Sequence, residues 1–179
     1  MASKALPSPE VLRQLLRYEP GTGKLFWRER GPEWFTRGGS AAAWNDAFAG
    51  REAFTADDGA GYRQGSIFDQ SFRAHRIAWA ISYGVWPQNH IDHINGDKSD
   101  NRLCNLRDAS RSENMSNSQK RVDNTSGFKG VSRAAGKWVA RIYARGKKHH
   151  IGYFDTAEDA AAAYAKASAE LHGEFGRVS

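Results

Sequence analysis

The chain has 179 residues, 40% of them hydrophobic and 12% aromatic, with a formal net charge of +6 and a sequence pI near 9.6. That length suits one ordinary domain or two or three small modules, and the apolar content excludes an intrinsically disordered chain. The single cysteine, Cys104, excludes a disulfide framework and any zinc site needing two thiolates, while the basic balance points to a polyanionic partner.

The opening "MASKALPSPEVLRQLL" lacks the apolar core of a signal peptide. No run approaches the roughly 18 apolar residues of a spanning helix, so no membrane partner is expected. The thiol count suits a reducing cytoplasm. Ser8-Pro9-Glu10 predicts a helix start, with Ser8 as N-cap, Pro9 in the first turn and a carboxylate near the positive end. Val11, Leu12, Leu15 and Leu16 repeat at helical spacing, and Pro20-Gly21-Thr22-Gly23 is expected to end that helix. "KLFWRER" reads as a short strand, and residues 31–61 give no firm assignment. "GYRQGSIF" and "QSFRAH" predict a hairpin.

"RAHRIAWAISYGVWP" predicts a helix with an apolar stripe through Ile77, Ala78 and Ile81, closed by Gly84. Leu103 to Leu106 reads as a short extended piece. Ser110 and Glu113 form a capping-box pattern that predicts a helix from about Arg111 to Gln119. "KRVDNTSG", residues 120–127, is a polar linker. Beyond it, three alternating runs separated by "AAG" and "ARGKK" predict an antiparallel meander. Thr156 then caps a helix whose inner face is Ala160, Tyr164, Ala167 and Leu171, with Gly173 at its end. The fold class expected is α+β, built of small modules: an N-terminal helix-and-strand region over 1–70, a middle module over 71–119, the linker 120–127, and a three-stranded antiparallel sheet on one helix over 128–179.

The positive charge is concentrated. Phe128 to His150 holds seven basic and no acidic residues, so the remaining 156 residues sum to −1. Alternation puts Val139, Arg141 and Tyr143 on one face of the middle strand and Trp138, Ala140 and Ile142 on the other, helix-packed face. With Lys148 and His150 the first set forms a basic, partly aromatic surface that a duplex groove can accept. A solvated sheet face is the bland alternative, and the lack of any acid over 23 residues favours nucleic acid.

"SGFKGVSRAAGKWVARIYARGKKHHIGYFDTAEDAAAAYAKASAELHGEF" resembles the Apetala-two/ethylene-response-factor DNA-binding domain, over about Ser126 to Arg177. The resemblance implies a sheet that reads the major groove and places Lys129, Arg141, Tyr143, Lys148 and His150 at groove-facing positions; Arg133, from the same basic run, completes the DNA-binding candidates. The plant versions carry more arginines and a tryptophan where this chain has Ser132, Tyr143 and His150, so no target sequence transfers.

The most polar stretch is "NHIDHINGDKSDN", Asn89 to Asn101. As an EF-hand loop begun at Asp92 it fails, because position 3 is Ile94 and position 12 is Leu103. As a plain turn, Asn95-Gly96 is a type I′ signal, but that leaves Asp92-His93 and the capped helix bearing Asn114 unexplained. As a metal-dependent phosphodiesterase site, Asp92 and Asn114 supply hard oxygen ligands and His93 a base for water.

The stretch "DHINGDKSDNRLCNLRDASRSEN", with "AHRIAWAISYGVWP" before it, resembles the HNH endonucleases of the phage and intron-encoded homing type. The resemblance implies a ββα-metal fold for the middle module. It makes His93 the general base, Asp92 and Asn114 the metal ligands, and Asn105 the residue that ties the loop backbone and orients the histidine. Asn114 stands where the family name expects histidine. The cofactor implied is Mg2+ or Mn2+, with no structural zinc. The partner is double-stranded DNA, the enzyme is expected to act as a monomer, and its setting is the cytoplasm of a bacterial or phage-infected cell. The alternatives are a non-catalytic sequence-specific DNA-binding regulator and an RNA-binding domain.

Overall fold

The computed structural model describes residues 5–35, 38–118, 120 and 123–178, so the first residues of the opening stretch, Gln119 at the end of the helix predicted from Arg111, and two linker positions lie outside it. Helices mix with several small antiparallel sheets, in keeping with the α+β expectation. The chain divides into two compact units, Met1–Arg107 and Asp108–Ser179.

In the first unit, α1 spans Pro9–Leu15, and the Ser8 side chain accepts from the Val11 amide as the sequence predicts. The helix stops sooner than expected. Leu16 is already extended and opens β1, Leu16–Glu19, which pairs antiparallel with β2, Lys24–Trp27. Pro20 to Gly23 is therefore a hairpin turn and not a helix stop; pairing with β2 outweighs one more turn of helix for Leu16, which is 1% exposed. The segment left unassigned holds a turn of 3₁₀ helix at Pro32–Trp34, α2 at Ala41–Phe48 capped by Ser40, β3 at Glu52–Ala53 on the edge of the β1–β2 sheet, and β4 at Ala56–Asp57. The predicted hairpin is β5, Arg63–Ile67, with β6, Gln70–Arg73, turning through Phe68 and Asp69 at positive φ.

Helix α3, Ala74–Tyr83, follows β6 directly and ends at left-handed Gly84, as expected. Its residues Ile77 and Ala80 join Leu12, Leu15, Leu16, Leu25, Phe54 and Ile67 in the main core. Ala78 faces a smaller cluster with Ile91 and Leu106, which seats β7, His90–His93, on the helix. Leu103–Asn105 is a turn of 3₁₀ helix, not extended; the strand β8 starts only at Leu106 and runs to Ala109, pairing with β7. The division between the two units falls inside β8.

The second unit opens with α4, Arg111–Ser116, whose capping box between Ser110 and Glu113 is complete. Strands β9, Val131–Ala134, β10, Lys137–Ala144, and β11, Lys147–Phe154, form the antiparallel meander in the order β11-β10-β9. Helix α5, Ala157–His172, is capped by Thr156 and lays Ala160 and Tyr164 on Val131, Ala140 and Ile142, with Ala167 and Leu171 alongside. Val139 departs from the expected pattern: it alternates outward yet is 0% exposed, flanked across the strands by Ser132 and Tyr153.

Candidate active site

Strand β7 delivers Ile91, Asp92 and His93 into buried positions, while His90 at its entry stays exposed. Asp92 and His93 are each 4% exposed. The chain then turns sharply, with the Gly96 amide donating to the His93 carbonyl at 2.8 Å. Asn95 is not among the described positive-φ residues, so this turn is not the type I′ form its Asn-Gly pair suggests. Asn105 bridges the loop: its side-chain oxygen accepts from the Asn95 amide at 2.9 Å and its Nδ2 donates to the Asp100 carbonyl at 2.8 Å.

The partner of His93 is a different asparagine. His93 Nε2 lies 3.2 Å from Asn101 Oδ1, and Asn101 is itself 3% exposed. Asn105 thus shapes the loop, and Asn101 meets the imidazole. The Asn101 amide donates in turn to the Ser99 carbonyl at 3.3 Å. Beside it, the Arg102 guanidinium grips Asp100 and holds that carboxyl down at about 2.

Asp92 Oδ2 accepts from Arg107 Nε at 2.9 Å, with Nη2 at 2.8 Å, so the buried carboxylate is charge-compensated within its own unit. The His93 ring packs against His75, centroids 5.0 Å apart and edge to face, and both rings pack on Tyr62. Burial lowers the His93 pKa below the usual imidazole range, against the upward pull of the Asn101 contact and Asp92. A neutral imidazole is what a base for water requires. His75, 4% exposed, is pushed down to about 3 by burial, then by His93, Arg73 and Arg76, so it also stays neutral.

The fourth candidate, Asn114, is half-buried on α4 in the second unit. In that same unit Arg141 pairs with His150 and Tyr143 with Lys148 across β10 and β11, so these four share one face, as alternation predicts. Tyr143 is 57% exposed. Tyr153, also 57% exposed and 4.8 Å from the His150 ring, adds a second aromatic to this face that the sequence pattern did not single out. Two other candidates lie elsewhere. Arg133 pairs with Trp138 and sits over its ring, on the opposite face from Arg141. The half-buried Lys129 ammonium donates to the Ser116 and Ser118 carbonyls at 2.7 and 2.6 Å, and burial lowers its pKa to about 8.

Asn101, Arg107 and Tyr62 were not singled out from the sequence. For Asn101 and Arg107 the only signal was the density of polar residues around Asp92; nothing local marks Tyr62, which reaches His93 from the β4–β5 hairpin.

A family model described as HNH endonuclease matches residues 72–116, a span that holds Asp92, His93, Asn105 and Asn114. Protein 3.8 of Escherichia phage T7 is 36% identical over 113 residues, which make up 62% of this chain and 93% of that protein. No solved structure gives a significant match.

Proposed function

Since the chain belongs to the HNH endonuclease family and is a DNA endonuclease, we propose that it is a metal-dependent, site-specific enzyme of the homing or nicking type that binds its target through the C-terminal sheet. The observation that carries this reading is the buried, neutral His93 beside the buried carboxylate of Asp92, at the head of a loop tied by Asn105.

The buried carboxylate of Asp92 is the kind of hard oxygen donor that suits a divalent cation such as Mg2+ or Mn2+. Asn114 is proposed as the second ligand, which keeps the protein's share within the one or two groups that magnesium takes. Among the described residues no group of three or more His, Cys, Asp or Glu comes together, so waters and phosphate oxygens would supply the other positions. When bound, such an ion supplies charge to offset that developing on the phosphate and the leaving oxygen. Arg107 shares Oδ2 of Asp92 and would weaken metal binding in the absence of DNA. His93 takes the proton of the attacking water.

The recognition set is Arg141, Tyr143, Lys148 and His150, supported by their shared face and by the resemblance of this sheet to Apetala-two domains. Lys129 is left out because its ammonium is engaged by two main-chain carbonyls. By role, 71–119 is the nuclease segment and 128–179 the DNA-binding segment. A single site per chain makes a nick the expected product.

The test is incubation with supercoiled plasmid, with and without magnesium, resolving nicked from linear product. Magnesium-dependent nicking is expected from the wild type. His93→Ala should lose cleavage by at least about 10²-fold while DNA affinity stays within a factor of two, because the base acts on water. Cleavage by His93→Ala at the wild-type rate would show the mechanism to be wrong.

A further inference from the structure

The nitrogen of His93 that faces Asn101 is chemically determined. Asn101 Nδ2 donates to the Ser99 carbonyl, which can only accept, so the amide is turned with Oδ1 toward the imidazole. An amide oxygen is likewise only an acceptor. His93 Nε2 must therefore carry the proton in the neutral ring, which leaves the lone pair on Nδ1.

Asn101 is itself held from outside the matched span 72–116. The Tyr18 hydroxyl on β1 donates to the Asn101 carbonyl at 2.8 Å. The Leu103 amide donates to the Pro20 carbonyl at 3.4 Å, in the β1–β2 turn. Gly23, at φ +74, comes so close that a β-carbon there would stand 2.6 Å from the Asn101 carbonyl carbon. Three contacts from one hairpin thus converge on residues 101–103, and Tyr18 also packs in both apolar clusters of this unit.

We propose that Asn101, clamped by the β1–β2 hairpin through Tyr18, Pro20 and Gly23, is the positioning residue that fixes His93 as the Nε2–H tautomer, so that Nδ1 receives the proton of the attacking water. On transfer the water's O–H bond breaks as the N–H bond forms at Nδ1. The resulting imidazolium keeps its Nε2–H bond to Asn101, and the hydroxide oxygen bonds to phosphorus as the bond from phosphorus to the leaving sugar oxygen breaks, that oxygen taking a proton from solvent. The N-terminal hairpin becomes part of the catalytic apparatus, although it lies outside the nuclease motif.

This inference rests on His93 as the base, and the experiment separates the two. Nitrogen-15 NMR of the full chain labelled at histidine, with His93 assigned by its loss in His93→Ala, reads the tautomer without any need for activity. The expected result is protonation at Nε2. Single-turnover plasmid cleavage in magnesium, with DNA affinity measured in parallel, is then compared across variants. Asn101→Leu removes the acceptor and should slow cleavage by about 10²-fold with affinity within a factor of two. Asn101→Asp restores an acceptor and should recover to within about tenfold of wild type. Tyr18→Phe, which keeps the packing, should slow cleavage roughly threefold to tenfold. If Asn101→Leu fails to fold, Asn101→Asp and Tyr18→Phe carry the same comparison.

A proton on Nδ1 in the wild type, or wild-type cleavage in both Asn101→Leu and Tyr18→Phe, overturns the inference and leaves His93 as base untouched. Wild-type cleavage by His93→Ala overturns the base assignment, and with it the catalytic meaning of the tautomer.

Discussion

His75 is 4% exposed between Tyr62 and His93, with Arg73, Arg76 and Asp58 as its charged neighbours. Its folded pKa of about 3 lies below the ordinary imidazole value of 6.5, so the neutral ring is favoured in the native state and the unfolded chain binds the proton first. The stability tied to this group is complete above pH 6.5 and is lost as pH falls toward 3. Over the first part of that window, from pH 6.5 to 5, the loss amounts to about 2 kcal/mol. Urea denaturation of the wild type should show it, and His75→Phe should flatten the curve; an unchanged acid slope in that variant would remove His75 as the cause. Asp92 warns against a different reading of mutants. Asp92→Ala would remove this carboxylate from the Arg107 guanidinium, 13% exposed in its side chain, and removing one partner of a buried pair costs about 3–5 kcal/mol. An inactive Asp92→Ala therefore tests folding as much as metal binding.

Among the elements, the meander carries the sharpest test of packing. Gly130 has φ +71, and a β-carbon there would fall on the Tyr164 ring of α5, whereas Gly136 has φ +78 in the β9–β10 turn with nothing within 4 Å. Gly130→Ala should destabilise the second unit by roughly 2–4 kcal/mol, from backbone strain plus overpacking, and Gly136→Ala by about 1–2 kcal/mol from strain alone. Equal midpoints in denaturant for the two variants would contradict this. The same elements show what the sequence could disclose. Ser8, Ser110 and Thr156 caps, Gly84 as a helix stop and the period-two runs of the meander are local signals, and the structure follows them. Leu16 and the 3₁₀ turn at Leu103–Asn105 depart from the local pattern because pairing with a strand eight or more residues away decides the first, and loop bonds through Asn105 decide the second. Within the site, Asp92, His93 and Asn105 sit in one local run and were legible. Arg107 pairs across the loop, Asn101 was one of several asparagines in it, and Tyr62 reaches the site only through tertiary packing.

Taken whole, the molecule keeps its positive charge to one segment, with +7 over Phe128 to His150 against −1 elsewhere. DNA affinity should fall by about 10³ between 50 and 200 mM salt if some six phosphates are contacted, and Arg141→Ala or Lys148→Ala should make that dependence shallower. Titrations by fluorescence anisotropy at several salt concentrations measure both slopes, and slopes equal to wild type would move the interface off this sheet. No described helix is long and apolar enough to cross a membrane. The seam between the two compact units runs through β8 and not through the polar stretch 120–127. Helix α4 is bound to the C-terminal segment of its own unit by the Lys129 ammonium and by Ser116 against His172. A genetic exchange that swapped the C-terminal sheet at that polar stretch would cut these ties. One made ahead of Asp108 would keep them, but would carry Asn114 away with the incoming sheet. If the sheet sets target choice as proposed, target choice and the candidate metal ligand Asn114 are inherited as a single block, while His93 travels with the β1–β2 hairpin proposed to orient it.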